Sequence, residues 1–164
     1  MITLVLGGAR SGKSMVAEQL AARLTGTVTY LATASVDPAD RDHVTRIEEH
    51  RARRDPAWST VEAGTDLAAV LRATPGSALV DSLGTWVTAH DDLAVDVAAL
   101  CSSLVERGGD TVVVSEEVGL GVHPSSEPGR RFRDALGAVN VAVAEVATDV
   151  VLVVAGRALH LDRP

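Results

Sequence analysis

A chain of 164 residues that is 46% hydrophobic but only 2% aromatic can build one substantial core, and must make it from Val, Leu, Ile and Ala. A net charge of −7 and four scattered aromatics argue against a nucleic-acid binder, which needs a broadly basic face or a stacking platform. No apolar run approaches the roughly 18 residues of a membrane span, no basic leader precedes the first apolar run, and the single Cys101 cannot close an internal disulfide, so a cytoplasmic protein is expected.

The predicted elements alternate. "ITLVL" (2–6) is a short apolar run ending in glycines and reads as a buried strand. Val16, Leu20 and Leu24 recur every four residues and stripe a helix over 14–24. "TVTYLAT" (27–33) is β-branched and strand-like. Asp37 and Pro38 open a polar helix reaching about residue 54. A short strand at 59–62, a short helix at 65–73 and an apolar strand at 78–81 follow. Leu93, Val97, Leu100 and Leu104 mark the next helix, and 111–117 the next strand. Phe132, Leu136, Val139, Val143 and Val146 stripe a long helix. The last buried strand, 149–156, precedes a short antiparallel one through Leu161. Apolar strands alternating with amphipathic helices predict a single α/β domain, a mostly parallel sheet covered by helices on both faces. The long non-apolar tracts, 34–57 and 115–131, are where function is expected rather than packing.

One motif has a defined chemistry. "GGARSGKS" (7–14) matches G-x-x-x-x-G-K-[ST] directly after a strand and directly before a helix, the context the motif requires. Backbone N–H groups of Gly7, Gly8, Ala9, Arg10, Ser11 and Gly12 can wrap phosphate oxygens at a helix N-terminus. Lys13 should reach the β/γ-phosphates and the Ser14 hydroxyl should ligate Mg²⁺. Lys13 is the only lysine among fifteen basic residues, so a compact ammonium stands where a planar guanidinium would not serve. Asp81, at the end of the apolar strand "ALVD", is a candidate second ligand for Mg²⁺. The remaining histidines and the cysteine have no zinc-type spacing.

Seven of the fifteen basic residues fall in two segments, Arg46/Arg51/Arg53/Arg54 and Arg130/Arg131/Arg133. By residue type alone these are either solvated helix faces or cradles for an anion. His50, inside "RIEEHRARR", is equally open: a solvated imidazole, or a nucleophile beside cations that could hold a polyphosphate.

Together with "YLATA" (30–34), "WSTVE" (58–62), "LVDSLGTWV" (79–87), "VVSEEVGLGVHP" (113–124) and "RRFRDALGAVN" (130–140), these motifs make a chain that resembles, nearly end to end, the bifunctional adenosylcobinamide kinase / adenosylcobinamide-phosphate guanylyltransferase family of cobalamin biosynthesis. The resemblance implies a P-loop NTPase-type fold and two reactions. ATP or GTP phosphorylates the aminopropanol hydroxyl of adenosylcobinamide, and GTP then delivers GMP, through a guanylyl-histidine, to adenosylcobinamide phosphate. It implies that His50 is that histidine, with Lys13 catalytic in the P-loop. It further implies that Ala32, Thr33, Ala34, Arg51, Arg53, Arg54, Glu62 and Asp81 lie at nucleotide-contacting positions, and that the protein is a homo-oligomer, a trimer. Where relatives often read "DCLTxWVxN", this chain has Ser82, Gly84 and Ala89, and Glu116 stands where they often have Asn before "EVG". Two rival readings remain: a P-loop kinase for another small alcohol, and a nucleotide-dependent switch. The switch is weakened because Gln19, inside the first helix, is the only glutamine that could orient a water.

Overall fold

The structure, a computed structural model, describes residues 1–34 and 55–163. Among the described residues, seven strands form one sheet in the order β3-β2-β4-β5-β1-β6-β7. In chain order they are β1 (Ile2–Gly7), β2 (Val28–Ala32), β3 (Ser59–Glu62), β4 (Ser77–Asp81), β5 (Thr111–Glu116), β6 (Asp149–Val154) and β7 (Arg157–His160). Every neighbouring pair is parallel except β6 and β7, which run antiparallel. The helices are α1 (Lys13–Ala21), α2 (Leu67–Ala73), α3 (Leu83–Thr88), α4 (Val97–Glu106) and α5 (Glu127–Val146), with a 3₁₀ turn at Asp91–Leu93.

The apolar strands divide into two cores by simple alternation. Ala78 and Val80 of β4, with Leu4 of β1 and Val113 of β5, pack beneath Leu67, Leu83, Trp86, Leu100, Leu104 and Leu136 of α2 to α5. Leu79, Val5, Val112 and Val114 point the other way, against Ala17 and Ala21 of α1. A strand covered on both faces has no polar side to show, which is why these runs are continuously apolar.

The predicted order is present, with shifted boundaries. The first helix ends at Ala21 rather than 24, because Arg23 and Leu24 donate to Leu20 and Ala21 in a tightened turn that Gly26 closes at φ +83. The expected strand 149–156 breaks after Val154, where Ala155 (φ +50) and Gly156 (φ +72) make a two-residue hairpin into β7. One helix was not predicted. α3 is only six residues, "LGTWVT", with β-branched residues and a glycine that weaken helix propensity, and tertiary packing of Trp86 and Val87 overrides this. The helix expected over 38–54 lies outside the described residues.

Candidate functional site

The P-loop occupies the turn from β1 into α1. Gly12 adopts φ +91, and an added Cβ would meet the Gly156 Cα at 3.2 Å, so glycine is required twice over. A side chain on Gly7 would strike Ser11 Oγ at 2.4 Å and the Val153 carbonyl at 2.9 Å. The β6–β7 hairpin braces the loop from outside: the Gly156 N–H donates to the Ser11 carbonyl at 2.7 Å. Arg10 sits at φ +55, exposed on the rim. The first amides of α1 therefore open the helix at a preformed loop, the geometry that favours an anion.

Asp81 ends β4, two strands from β1. Tyr30 Oη donates to Asp81 Oδ2 at 2.8 Å, which orients that carboxylate from the neighbouring strand. The peptide joining Asp81 to Ser82 is cis. Behind it lies Thr33, whose hydroxyl accepts the Ser82 N–H at 2.8 Å and contacts Thr85 Oγ1 at 2.6 Å. Thr33 is buried, and its backbone N–H donates to the Asp81 carbonyl at 3.3 Å. The threonine of "ATA" thus holds the turn that carries Asp81, while Ala32 and Ala34 on either side are half-buried.

Between the P-loop and Asp81 comes the end of β5, where Glu116 registers with Gly7. Its carboxylate lies 3.4 Å from Lys13 Nζ. Nothing in composition or spacing pairs Glu116 with Lys13. The missed signal was topological: a strand inserted between the P-loop strand and the Asp81 strand must end beside both. Asn140 of α5 secures that strand end, donating to the Glu116 carbonyl at 3.0 Å and accepting from Ser115 Oγ at 2.6 Å.

Of the residues singled out from sequence, the fold brings Gly7 to Ser14 and Asp81 to the carboxyl ends of two parallel strands that flank β5. Glu62 ends β3 at the far side of β2, paired in register with Ala32. His50, Arg51, Arg53 and Arg54 lie outside the described residues. The second arginine group is spent within the fold. Arg130 donates to the Pro124 and Ser125 carbonyls, Arg131 pairs with Asp92 at 3.3 Å, and Arg133 pairs with Asp134 at 2.7 Å and contacts His123. Burial pushes the Cys101 thiol up, away from the reactive thiolate form. A shallow polar cavity of about 460 Å³, lined by Thr65, Asp66, Ala89, His90, Asp91 and Ala94, lies beside the turn after α3. No helix among the described residues is long and apolar enough to cross a membrane.

A sheet of this order with a P-loop leaving β1 is a P-loop NTPase fold. It is similar to a solved ATPase of the type III secretion system of pathogenic bacteria, with a TM-score of 0.53 at 12% identity; the match covers 92% of this chain and 50% of that one. That likeness concerns the fold alone. The family described as "Cobinamide kinase / cobinamide phosphate guanyltransferase" matches residues 3–161. The chain is 43% identical to the bifunctional adenosylcobalamin biosynthesis protein CobP of Pseudomonas aeruginosa, over 98% of this chain and 97% of that protein. It is 33% identical to the bifunctional adenosylcobalamin biosynthesis protein CobU of Escherichia coli and, equally, to that of Salmonella typhimurium, covering 95% of this chain and 97% of each relative. A P-loop in its structural context, matched over almost the whole chain, makes this protein a member of the cobinamide kinase / cobinamide phosphate guanyltransferase family.

Proposed function

We propose that this chain carries out both steps of its family: phosphorylation of adenosylcobinamide by ATP or GTP, then GMP transfer from GTP through a guanylyl group on His50 to give adenosylcobinamide-GDP. The observation that carries the kinase half is the P-loop, with Lys13 at the mouth of a loop rigidified by Gly12, Gly7 and the β6–β7 hairpin. Lys13 would neutralise charge on the β/γ-phosphates as the γ-phosphoryl group leaves, while the loop and helix amides hold the β-phosphate.

The residues suit Mg²⁺. This ion takes hard oxygen ligands and needs only one or two from protein when phosphates and waters supply the rest. Ser14 opens α1, and Asp81 is oriented by the Tyr30 hydroxyl. These two would hold the ion, whose positive charge would offset the phosphate charge that the attacking hydroxyl must approach.

For the second half, a neutral imidazole attacking the α-phosphate divides one difficult displacement into two easier ones. The His50 nitrogen forms a P–N bond as the P–O bond to pyrophosphate breaks. The phosphate oxygen of the acceptor then attacks the same phosphorus and returns the imidazole. Arg51, Arg53 and Arg54 would hold the triphosphate, Glu62 could accept guanine's N1–H and N2–H₂, and Ala32, Thr33 and Ala34 would border the nucleotide. We propose in addition that the protein is a homo-oligomer, a trimer.

The test is incubation with GTP labelled at the α-phosphate, with both products measured for wild type and His50→Ala. Wild-type protein should carry an acid-labile, base-stable label whose formation slows on acidification, since imidazolium is no nucleophile and a free imidazole titrates near ~6.5. His50→Ala should lose label and guanylyl transfer while retaining kinase turnover. Label retained on the variant would move the nucleophile elsewhere, and equal loss of both reactions would make His50 a shared binding residue.

A further inference from the structure

Three of the four positions at which the chain parts from the family's usual pattern, Ser82, Gly84 and Glu116, meet in one contact. Ser82 Oγ donates to the Glu116 carboxylate, 3.0 Å from Oε1 and 3.1 Å from Oε2. The Gly84 N–H, in the first turn of α3, donates to Oε2 at 3.0 Å. A Cβ on Gly84 would stand 2.0 Å from that oxygen, so only glycine admits the carboxylate there. On its other side, Oε1 faces the Lys13 ammonium at 3.4 Å. Asn140 holds the main chain at Glu116, and the bonds from Ser82 and Gly84 aim the carboxylate itself.

We propose that Glu116 is a positioning residue for Lys13, and that Ser82 and Gly84 form its cradle. The inference rests on the P-loop being the triphosphate site. Without nucleotide, Glu116 holds the ammonium at the mouth of the loop. An incoming polyphosphate competes with a carboxylate for one cation, which weakens ground-state binding. Once the γ-phosphate is in place, the same carboxylate fixes the direction of the ammonium toward the charge that develops in the transition state. Removing the negative charge therefore tightens nucleotide binding and slows chemistry, so KM and kcat fall together. Loss of a merely structural contact would lower thermal stability and raise KM instead.

Magnesium–GTP binding by calorimetry, and steady-state phosphorylation of adenosylcobinamide, should be compared for wild type, Glu116→Gln and the Lys13→Ala/Glu116→Gln pair against Lys13→Ala. Glutamine keeps an acceptor for Ser82 and Gly84 but presents no charge to Lys13. Glu116→Gln should bind GTP about tenfold tighter at low salt, with the gain shrinking as ionic strength rises, and turn over about tenfold more slowly. In the Lys13→Ala background the same substitution should leave affinity unchanged, because the carboxylate acts through the ammonium. Should Glu116→Gln fold poorly, Gly84→Ala displaces the carboxylate sterically and should shift affinity and turnover in the same directions. Equal or weaker GTP binding by the folded variant, or the same tightening without Lys13, would overturn the proposal. So would a Mg²⁺ titration displaced upward in Glu116→Gln, which would make Glu116 a metal residue. A wild-type protein that binds no GTP would overturn the P-loop reading itself, and this inference with it.

Discussion

The two ends of the sheet handle positive charge in opposite ways. At the amino ends of the strands, the Arg107 guanidinium donates to the carbonyls of Thr74, Gly76, Gly109 and Asp110 and to the Thr111 hydroxyl. Burial lowers its pKa, and nearby Asp110 pulls it back up. The chain's own ammonium at Met1 pairs with Asp110 at 2.7 Å, and the Met1 carbonyl receives the Thr111 N–H. These cations are tied into the fold, Arg107 through both terminal guanidinium nitrogens, and staple the turns before β4 and β5. At the carboxyl ends, Lys13 rests against one carboxylate at 3.4 Å, beside a loop of glycines and a helix N-terminus. A planar fork with five donors suits the first task, and a compact ammonium that can change partners suits the second. One end is built to stay; the other, as we propose, exchanges.

Substitutions can break this contrast. The largest effect is expected for Lys13→Ala, which should lower kinase kcat/KM by roughly a thousandfold, about 4 kcal/mol of transition-state stabilisation, with thermal unfolding within a few degrees of wild type. Retained turnover with an intact fold would remove Lys13 from the site. Next is Arg107→Ala, which leaves several carbonyls without their donor and should cost about 3 kcal/mol, lowering Tm by roughly 10 °C. At temperatures where the variant remains folded, turnover should match wild type. An activity defect there would mean that the two ends are coupled. The smallest is Asn140→Ala, which deprives the buried Ser115 hydroxyl and the Glu116 carbonyl of partners. It should cost about 2 kcal/mol in denaturant unfolding, and it should also reduce kcat a few-fold by loosening the end of β5. A stability loss with unchanged kcat would confine Asn140 to the structural side of the contrast.

What could be read from the residues was whatever short-range chemistry encodes. The P-loop was legible because its glycines, its lysine and its strand-to-helix setting lie within a few positions of one another. The two-faced burial of β1, β4 and β5 was legible because continuous apolar runs leave no polar face. α3 was not, because "LGTWVT" has no periodic stripe long enough to outweigh its weak propensity, and Trp86 is drawn in by packing and by its bond to the Thr65 carbonyl at 3.0 Å. The role of Arg130, Arg131 and Arg133 was undecidable from clustering alone, since arginines beside one another in sequence reach separate partners in the fold.

The sequence by itself determined the phosphate loop, the alternating α/β architecture and, through its ordered motifs, the family. Those follow from local backbone demands and from periodicities of a few residues. Only the tertiary structure decided that β5 lies between β1 and β4, and so puts Glu116 against Lys13 on one side and Ser82 and Gly84 on the other. Residues far apart in sequence met because parallel strands must be joined by crossovers, and the order in which those crossovers return is set by how two cores close over one sheet.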